Sequence, residues 1–331
     1  MTVYWITLGA GALLSFLLTY LLMVKRPLEN SLIGHDRGRK FAEGSAVNIG
    51  KPTGVGVYFI TVFTVISLIG VDIHFADIGL ILALMIVFLA MISGLLDDRS
   101  KTAWNEYIKG ALDFVIALLG AFVSTLFFFD GFVIISLTGC QLGMSKILFF
   151  ILAVILIIVS INATNATDGI DGLSGTLTII TVTALTIAAY FNGTLRYNGL
   201  MISVFLIVIL LAYLKFNFFP SKVLMGDAGS RALGVFIALY AIYLKIPFAY
   251  LIVGLPFLLD GGISVLKITV GRLTKKKIIL FKNITTPFHD ELKKKRGMPV
   301  PKVYKTLVLI SAALDMIYAG AVTIILLFFS H

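Results

Sequence analysis

The chain has 331 residues, of which 59% are hydrophobic and only 13% are charged, and its formal net charge is +10. Soluble domains carry about 25% charged residues, so the composition excludes an ordinary soluble domain. Cys140 is the single cysteine, which excludes an intramolecular disulfide and a cysteine-based metal cage. The mean hydropathy of +1.02 indicates an all-α integral membrane protein, because a backbone that crosses lipid must form its hydrogen bonds within helices.

Apolar stretches recur along the chain at close to the length that a helix needs to cross a bilayer, roughly 17–25 residues. In chain order they cover 3–24, 54–71, 78–96, 106–129, 146–161, 173–191, 199–214, 231–244, 246–270 and 303–329. The sequence therefore predicts about ten transmembrane helices in one polytopic domain over residues 1–331.

The distribution of basic residues predicts the orientation, because lysine and arginine in short loops stay on the cytoplasmic side. The loops are numbered by the predicted span that each one follows. All of the 27 lysines and arginines except Lys146, Arg196 and Lys245 lie in or beside the odd-numbered loops. Both termini are therefore predicted to be extracytoplasmic. The predicted cytoplasmic loops are 25–53, 97–105, 162–172, 215–230 and 271–302. These basic residues flank membrane spans without a recognition motif, so they indicate anionic lipid headgroups and no nucleic acid.

Acidic residues concentrate on the predicted cytoplasmic face. Five aspartates lie at the cytoplasmic ends of predicted spans, namely Asp97, Asp98, Asp168, Asp171 and Asp227. A carboxylate at membrane depth is costly unless it is paired, hydrated or bound to a cation, so these residues are candidates for a functional site.

The segment "GLLDDRSK" places Asp97 and Asp98 next to each other at the end of the third predicted span. Neighbouring residues on a helix point about 100° apart, so the two carboxylates can serve different partners. The alternative is an ordinary polar helix end that Arg99 and Lys101 neutralise.

The segment "NATNATDGIDGLSG", residues 162–175, is rich in small polar side chains. Asp168 and Asp171 are three residues apart, as are Asn162 and Asn165, so on a helical turn each pair shares a face. Such an oxygen-rich surface among glycines suits a hard cation or a sugar nucleotide. The alternative is a glycine-rich turn between helices with capping side chains.

The segment "NFFPSKVLMGDAGSRALG", residues 217–234, predicts a helix that begins near Asp227 after a glycine loop. Backbone N–H groups at a helix N-terminus favour phosphate, although no P-loop lysine follows. Clustered carboxylates would repel a phosphate group that binds to this backbone. A Mg²⁺ ion that bridges the carboxylates to a diphosphate removes this conflict. Lys101 and Lys109 can neutralise further phosphate oxygens.

Together with "GKPTGVG" at 50–56, these segments resemble, in the same order, the signatures of the polyprenyl-phosphate N-acetylhexosamine-1-phosphate transferase superfamily. Within it the resemblance is to the phospho-N-acetylmuramoyl-pentapeptide transferases, and it covers almost the whole chain. It implies ten transmembrane helices with both termini outside. It also implies an enzyme of the plasma membrane that transfers phospho-N-acetylmuramoyl-pentapeptide from its UDP-linked donor to undecaprenyl phosphate, giving lipid I and UMP.

The resemblance also implies roles for individual residues on the cytoplasmic face. Asp227 would bind Mg²⁺, and Asp97 and Asp98 would lie near the attacking lipid phosphate. The residues expected to contact substrate are Lys101, Lys109, Asn165, Asp168, Asp171, Asn217 and His289.

The sequence departs from the family pattern in two places. The family has three histidines before a Glu-Leu-Lys stretch, whereas "PFHDELK" keeps only His289, with Asp290 and Glu291 as candidates for the other positions. Leu224 stands where an aromatic residue that stacks on uracil is usual in the family. Two alternatives follow: Phe218 or Phe219 replaces that residue, or uridine is held less tightly.

Two alternative functions stay open at this point. One is a transferase that moves N-acetylglucosamine phosphate from its UDP donor to the polyprenyl phosphate. The other, from a different class, is an ion-coupled transporter, because intramembrane acids and glycine-broken spans also mark such carriers. The sequence leaves open whether the protein is a homodimer.

Overall fold

The computed structural model describes residues 2–25, 32–36, 48–71, 77–100, 102, 104–275, 277–278, 280–281 and 284–329. Lys101, one of the residues expected to contact substrate, lies outside this part of the chain, as does most of the loop at 25–53.

The described chain is mostly helical. Its first eight helices are α1 (Thr2–Lys25), α2 (Gly56–Gly70), α3 (Ile78–Arg99), α4 (Glu106–Phe127), α5 (Lys146–Thr167), α6 (Leu173–Phe191), α7 (Tyr197–Asn217) and α8 (Gly226–Tyr243). Seven helices among the described residues are long and apolar enough to cross a membrane, namely α1, α3, α4, α5, α6, α7 and the last helix, α13 (Val300–Phe329). An all-α, multi-pass membrane protein is thereby confirmed.

The ninth predicted span, 246–270, is a series of short helical pieces. It comprises a 3₁₀ turn (Pro247–Ala249), α9 (Tyr250–Val253), α10 (Leu255–Phe257), a π-helical turn (Leu258–Gly262) and α11 (Ile263–Leu273). Pro256 lacks a backbone N–H and follows Gly254, a combination that breaks a regular helix. The short helix α12 (Phe288–Lys294) then precedes α13.

Four short strands in the described parts of the chain form two small antiparallel sheets. They are β1 (Gly34–His35) with β2 (Pro52–Thr53), and β3 (Phe132–Ile135) with β4 (Cys140–Gly143). The β3–β4 hairpin connects α4 to α5, at the end of the bundle where α4 finishes and α5 begins.

Helix α8 occupies the centre of the bundle, and every residue from Asp227 to Ile242 is buried. Glycines bring its neighbours close. A Cβ atom added at Gly94 of α3 would collide with the carbonyl of Asp227, and one added at Gly234 would lie 2.6 Å from the Cα of Ile161 in α5. Small residues at helix crossings let backbones approach in this way.

The polar segments gather at one end of the bundle, where α3, α5 and α7 finish and α4, α6 and α8 begin. The loops at this end are shorter than the sequence predicts. Helix α5 runs through Thr167, so Asn162 and Asn165 belong to its last turns, and α3 and α7 likewise extend through Arg99 and Asn217. The first polar residues mark the end of an apolar stretch in the sequence, but the backbone hydrogen bonds of the helix continue into those polar residues.

Candidate active site

Two buried carboxylates converge on the ammonium group of Lys109. Lys109 Nζ contacts Asp97 Oδ2 and lies 2.9 Å from Asp227 Oδ2. Asp97 and Asp227 are only 6% and 7% exposed, whereas the Lys109 side chain is 30% exposed. Helices α3, α4 and α8 thus each place one charged group at the same point.

Asp98 has a different partner from its neighbour Asp97. Its two carboxylate oxygens accept hydrogen bonds from the backbone N–H groups of Asp227 and Ala228, at 3.1 and 3.0 Å. A carboxylate in this position caps the N-terminus of α8 and interacts favourably with the helix dipole. Asp97 instead accepts from the Trp104 N–H at 2.8 Å. Within the protein the adjacent carboxylates therefore have different partners, and their roles toward metal and proton stay predictions.

Gly226 makes this capping geometry possible. Its φ angle is +68°, in the left-handed region that side chains disfavour. A Cβ atom there would collide with Asp98 Oδ2 and would lie 2.6 Å from the backbone nitrogen of Gly54. The close approach of α3, the segment before α2, and α8 therefore requires glycine at this position.

Asn165 orients the Asp227 carboxylate from the last turns of α5. Its Nδ2 donates to Asp227 Oδ1 and to Ser230 Oγ, both at 2.9 Å. Asp227 therefore has a hydrogen-bond partner on each oxygen. Asn162, three residues earlier, donates instead to the Ile158 carbonyl of its own helix at 2.9 Å.

Asp168 and Asp171 lie in the turn between α5 and α6. Asp168 is the C-terminal cap of α5, and Gly172, with φ +77°, precedes α6. The expectation that the two carboxylates share one helical face is therefore wrong, because α5 ends at Thr167 and α6 begins only at Leu173. Asp171 Oδ2 accepts a hydrogen bond from the backbone N–H of Ser221 at 2.9 Å. That contact ties the turn to the segment that follows α7.

Asn217 holds the same two segments together from inside. Its Oδ1 accepts from the Gly172 N–H at 2.9 Å, and its Nδ2 donates to the Val223 carbonyl at 2.8 Å. The residue is 3% exposed. Its observed contacts are with the backbone, and its expected contact with substrate stays a prediction.

His289 brings α12 to the turn that carries Asp168. Its backbone N–H donates to Asp260 Oδ1 at 2.7 Å, and its Nδ1 lies 2.9 Å from Asp260 Oδ2. The ring packs on Gly169, where an added Cβ atom would lie 2.6 Å from Nε2. Asp260, in the π-helical turn, thus holds His289 in place beside the site.

The two acids after His289 make local contacts. Asp290 pairs with Lys294 at 3.1 Å, and Glu291 pairs with Lys295 at 3.0 Å. Glu291 also accepts a hydrogen bond from the Thr285 N–H at 2.6 Å, which lowers the pKa of its carboxyl. These acids hold the helix and its preceding loop in place.

Exposed aromatic rings lie near the turn at Gly172. Phe218 and Phe219 are 45% and 50% exposed, and the Phe218 ring meets the Tyr304 ring edge-on with 6.0 Å between centroids. The backbone of Leu224 pairs with Thr53 in a parallel bridge. Stacking of uracil on one of the two phenylalanines stays a prediction.

Sequence reasoning missed a buried ion pair directly beneath Lys109. Arg231 of α8 is 2% exposed, and its Nε and Nη2 lie 3.0 and 2.5 Å from Asp113 Oδ1 in α4. Its Nη1 and Nη2 also donate to Ser93 Oγ and to the Lys109 carbonyl, both at 3.1 Å. The available signal was Asp113 inside one apolar span and Arg231 at the first position of another, since charged groups at membrane depth usually pair.

The donor atoms of the site fit Mg²⁺ that is bound together with phosphate. Within the part of the chain that the structure describes, no three His, Cys, Asp or Glu residues form a metal site by themselves. However, Asp97 and Asp227 each direct one oxygen to the same cation, the Lys109 ammonium. Mg²⁺ is commonly held by one or two carboxylates, with water and substrate phosphates completing its shell.

Fold and site together define a multi-pass helical membrane protein with a buried acidic site at one end of its bundle. Residues 80–245 match the family model described as glycosyl transferase family 4.

Relatives that align with most of the chain are phospho-N-acetylmuramoyl-pentapeptide-transferases. That of Treponema pallidum (strain Nichols) is 31% identical over 88% of this chain and 82% of the relative. That of Streptococcus equi subsp. zooepidemicus (strain MGCS10565) is 30% identical over 87% of this chain and 88% of the relative. The chain therefore belongs to glycosyl transferase family 4, in the branch of the phospho-N-acetylmuramoyl-pentapeptide transferases. These matches favour an enzyme and give no support to the transporter alternative.

Proposed function

We propose that the protein transfers phospho-N-acetylmuramoyl-pentapeptide from its UDP-linked donor to undecaprenyl phosphate, giving lipid I and UMP. The observation that carries the proposal is the convergence of Asp97 and Asp227 on Lys109 at the helix ends. Relatives named for this reaction align with this chain over most of their length.

The active face would be cytoplasmic, at the plasma membrane. Among the described basic residues of these loops, Lys51 and Lys109 lie at the same end of the bundle as the site, and an excess of basic residues is the bias that retains loops in the cytoplasm. With α2, α8 and the interrupted segment at 247–273 counted as spans, the protein would cross the membrane ten times, with both termini outside.

The chemistry would be direct phosphoryl transfer. An oxygen of the lipid phosphate forms a bond to the sugar-bearing phosphorus, and the bond from that phosphorus to the UMP oxygen breaks. Negative charge crowds such a site, so catalysis consists mainly of positioning and charge neutralisation. Lys109 supplies a partly exposed positive charge where the diphosphate would bind. Asp97 or Asp98 would accept the proton if the lipid phosphate arrives singly protonated.

Mg²⁺ would be held by Asp227 together with Asp97, and when bound it would neutralise diphosphate oxygens. Asn165 would keep the Asp227 carboxylate in its binding orientation through the bond to Oδ1. Asp168 and Asp171, in the adjoining turn, would contact the nucleotide and diphosphate of the donor.

An assay with purified protein in detergent tests the proposal. Undecaprenyl phosphate is supplied with either UDP-N-acetylmuramoyl-pentapeptide or UDP-N-acetylglucosamine, and UMP release is measured with and without Mg²⁺. Magnesium-dependent release with the muramoyl donor is expected. Turnover only with UDP-N-acetylglucosamine would replace the proposed donor, and no UMP from either would refute the transferase.

Single-turnover labelling tests the direct mechanism separately. The protein is mixed with radiolabelled UDP-sugar in the absence of acceptor lipid and then denatured. A labelled protein would show a covalent aspartyl intermediate, and we expect none.

A further inference from the structure

We propose that Arg231 is a positioning residue that holds Lys109 at the acidic site. This inference rests on the proposed function of that site, but it concerns a residue one layer beneath it. Arg231 makes no contact with Asp97 or Asp227 in the hydrogen bonds described above, so its influence must act through Lys109 and α4.

Helices α4 and α8 are joined by two consecutive ion pairs of opposite polarity. Lys109 of α4 meets Asp227 of α8 at 2.9 Å, and Asp113 of α4 meets Arg231 of α8 at 2.5 Å. Within each helix the two charged residues are four apart, so they lie on one face, one turn above the other. Both helices begin at the site, so the Asp113–Arg231 pair lies one turn deeper in the bundle.

The guanidinium group also binds the backbone of Lys109. Arg231 Nη2 donates to the Lys109 carbonyl at 3.1 Å while it also meets Asp113 Oδ1. Arg231 therefore contacts α4 at two points one turn apart, which fixes the rotation of that helix about its axis. Arg231 Nη1 donates to Ser93 of α3 at 3.1 Å, so the helix that carries Asp97 is part of the same arrangement.

The energetics of buried ion pairs indicate that the Asp113–Arg231 pair has a role besides stabilising the fold. Replacement of a buried ion pair by apolar residues of similar volume is often neutral or stabilising, whereas removal of one partner is strongly destabilising. Arg231 and Asp113 are 2% and 5% exposed, so this reasoning applies to them. The planar guanidinium can reach three acceptors on two neighbouring helices at once, which an apolar pair cannot do.

The test compares two double variants, one that removes the buried ion pair between α4 and α8 and one that removes an ion pair just beyond the other ends of these helices. Arg231→Met with Asp113→Leu removes the buried pair and avoids an uncompensated charge. Lys245→Met with Asp130→Asn removes the exposed pair at the opposite ends of α4 and α8 and is the matched control. Thermal unfolding, kcat and the donor KM are measured for each.

We expect the buried double variant to unfold near the wild-type temperature but to lose about 100-fold in kcat, the size of effect that a small misplacement of a reacting group produces. The donor KM should change much less than kcat. The control should keep both constants. Arg231→Lys, which keeps a charge for Asp113 but lacks the planar fork, should fall between wild type and the double variant.

A second readout does not depend on turnover. Lysine residues are labelled by reductive methylation, and modification of Lys109 is followed by peptide mass spectrometry with exposed Lys146 as the internal reference. Release of Lys109 from its carboxylates should raise its labelling rate severalfold in the buried double variant and leave it unchanged in the control.

A buried double variant with wild-type kcat would overturn the inference, and so would one in which Lys109 labelling is unchanged. If the wild-type protein releases no UMP, the proposed function fails, and the labelling comparison alone still decides whether Arg231 positions Lys109.

Discussion

Asn165 Nδ2 donates a hydrogen bond to Asp227 Oδ1 at 2.9 Å, joining the end of α5 to the first turn of α8. The same amide group donates to Ser230 Oγ, so its orientation is set from two sides. An asparagine here presents the buried carboxylate with a donor and adds no charge. The Asp227 oxygen that faces Lys109 is thereby kept in a defined direction.

Asn165→Ala should lower turnover by about 10- to 100-fold, because Asp227 loses the donor that orients it. Asn162→Ala is the control, since its amide binds only a carbonyl of its own helix. Initial rates of UMP release, with unfolding temperatures for both variants, check the prediction. Equal rates for the two variants would contradict an orienting role for Asn165.

Asp227→Asn should abolish turnover, and excess Mg²⁺ should not restore it, because an amide oxygen is a weaker ligand for a hard cation. Asp130→Asn, at the other end of the bundle, should retain activity. UMP release across a Mg²⁺ titration is the measurement. Near-normal activity of Asp227→Asn would remove this residue from the metal role.

Lys109→Met should lower kcat by about 10²- to 10³-fold, the usual loss when a group that stabilises developing charge is removed. It also leaves Asp97 and Asp227 facing each other without the ammonium group, so the unfolding temperature measured without Mg²⁺ should fall. Lys146→Met is the matched control, because Lys146 is the first residue of α5 and the other end of that helix lies at the site. A kcat within a few-fold of wild type would mean that Lys109 does not neutralise the substrate.

His289→Ala should raise the KM for the muramoyl donor by about tenfold and leave the KM for undecaprenyl phosphate nearly unchanged, because loss of one specific contact mainly weakens binding of the group that it meets. Asp260→Leu should give the same change in donor KM, since Asp260 holds the imidazole and the backbone of His289. Steady-state kinetics with each substrate varied in turn distinguish these effects. A selective change in the acceptor KM would place His289 on the lipid side.

Gly226→Ala should destabilise the protein more than Gly193→Ala, although both glycines have positive φ angles, +68° and +67°. Strain from such an angle costs about 1–3 kcal/mol at either position. A new Cβ at Gly193 meets nothing within 4 Å, whereas one at Gly226 meets Asp98 and Gly54. Thermal unfolding measures the difference, and we expect only Gly226→Ala to lose UMP release as well. Equal effects of the two substitutions would show that the close packing at Gly226 is unimportant.

The long membrane helices were predictable because their signal is local. Hydropathy over about 20 residues is enough to locate a span such as α3 or α5. The start of α8 at Gly226 was also predictable from the glycine and aspartate of "MGDAGS". The extent of the helices past their apolar parts was not, since hydrogen bonding along a backbone does not end where polarity begins.

Sequence by itself determined the class of protein, the approximate spans and the acids of the candidate site, because composition and short motifs carry that information. Only the tertiary structure decided which charges meet. Lys109 and Asp227 are 118 residues apart in the chain, as are Asp113 and Arg231, and both distances close only when α4 packs against α8. Opposite charges attract at short range, and which of the many lysines, arginines and aspartates come within that range depends on how the helices rotate and pack.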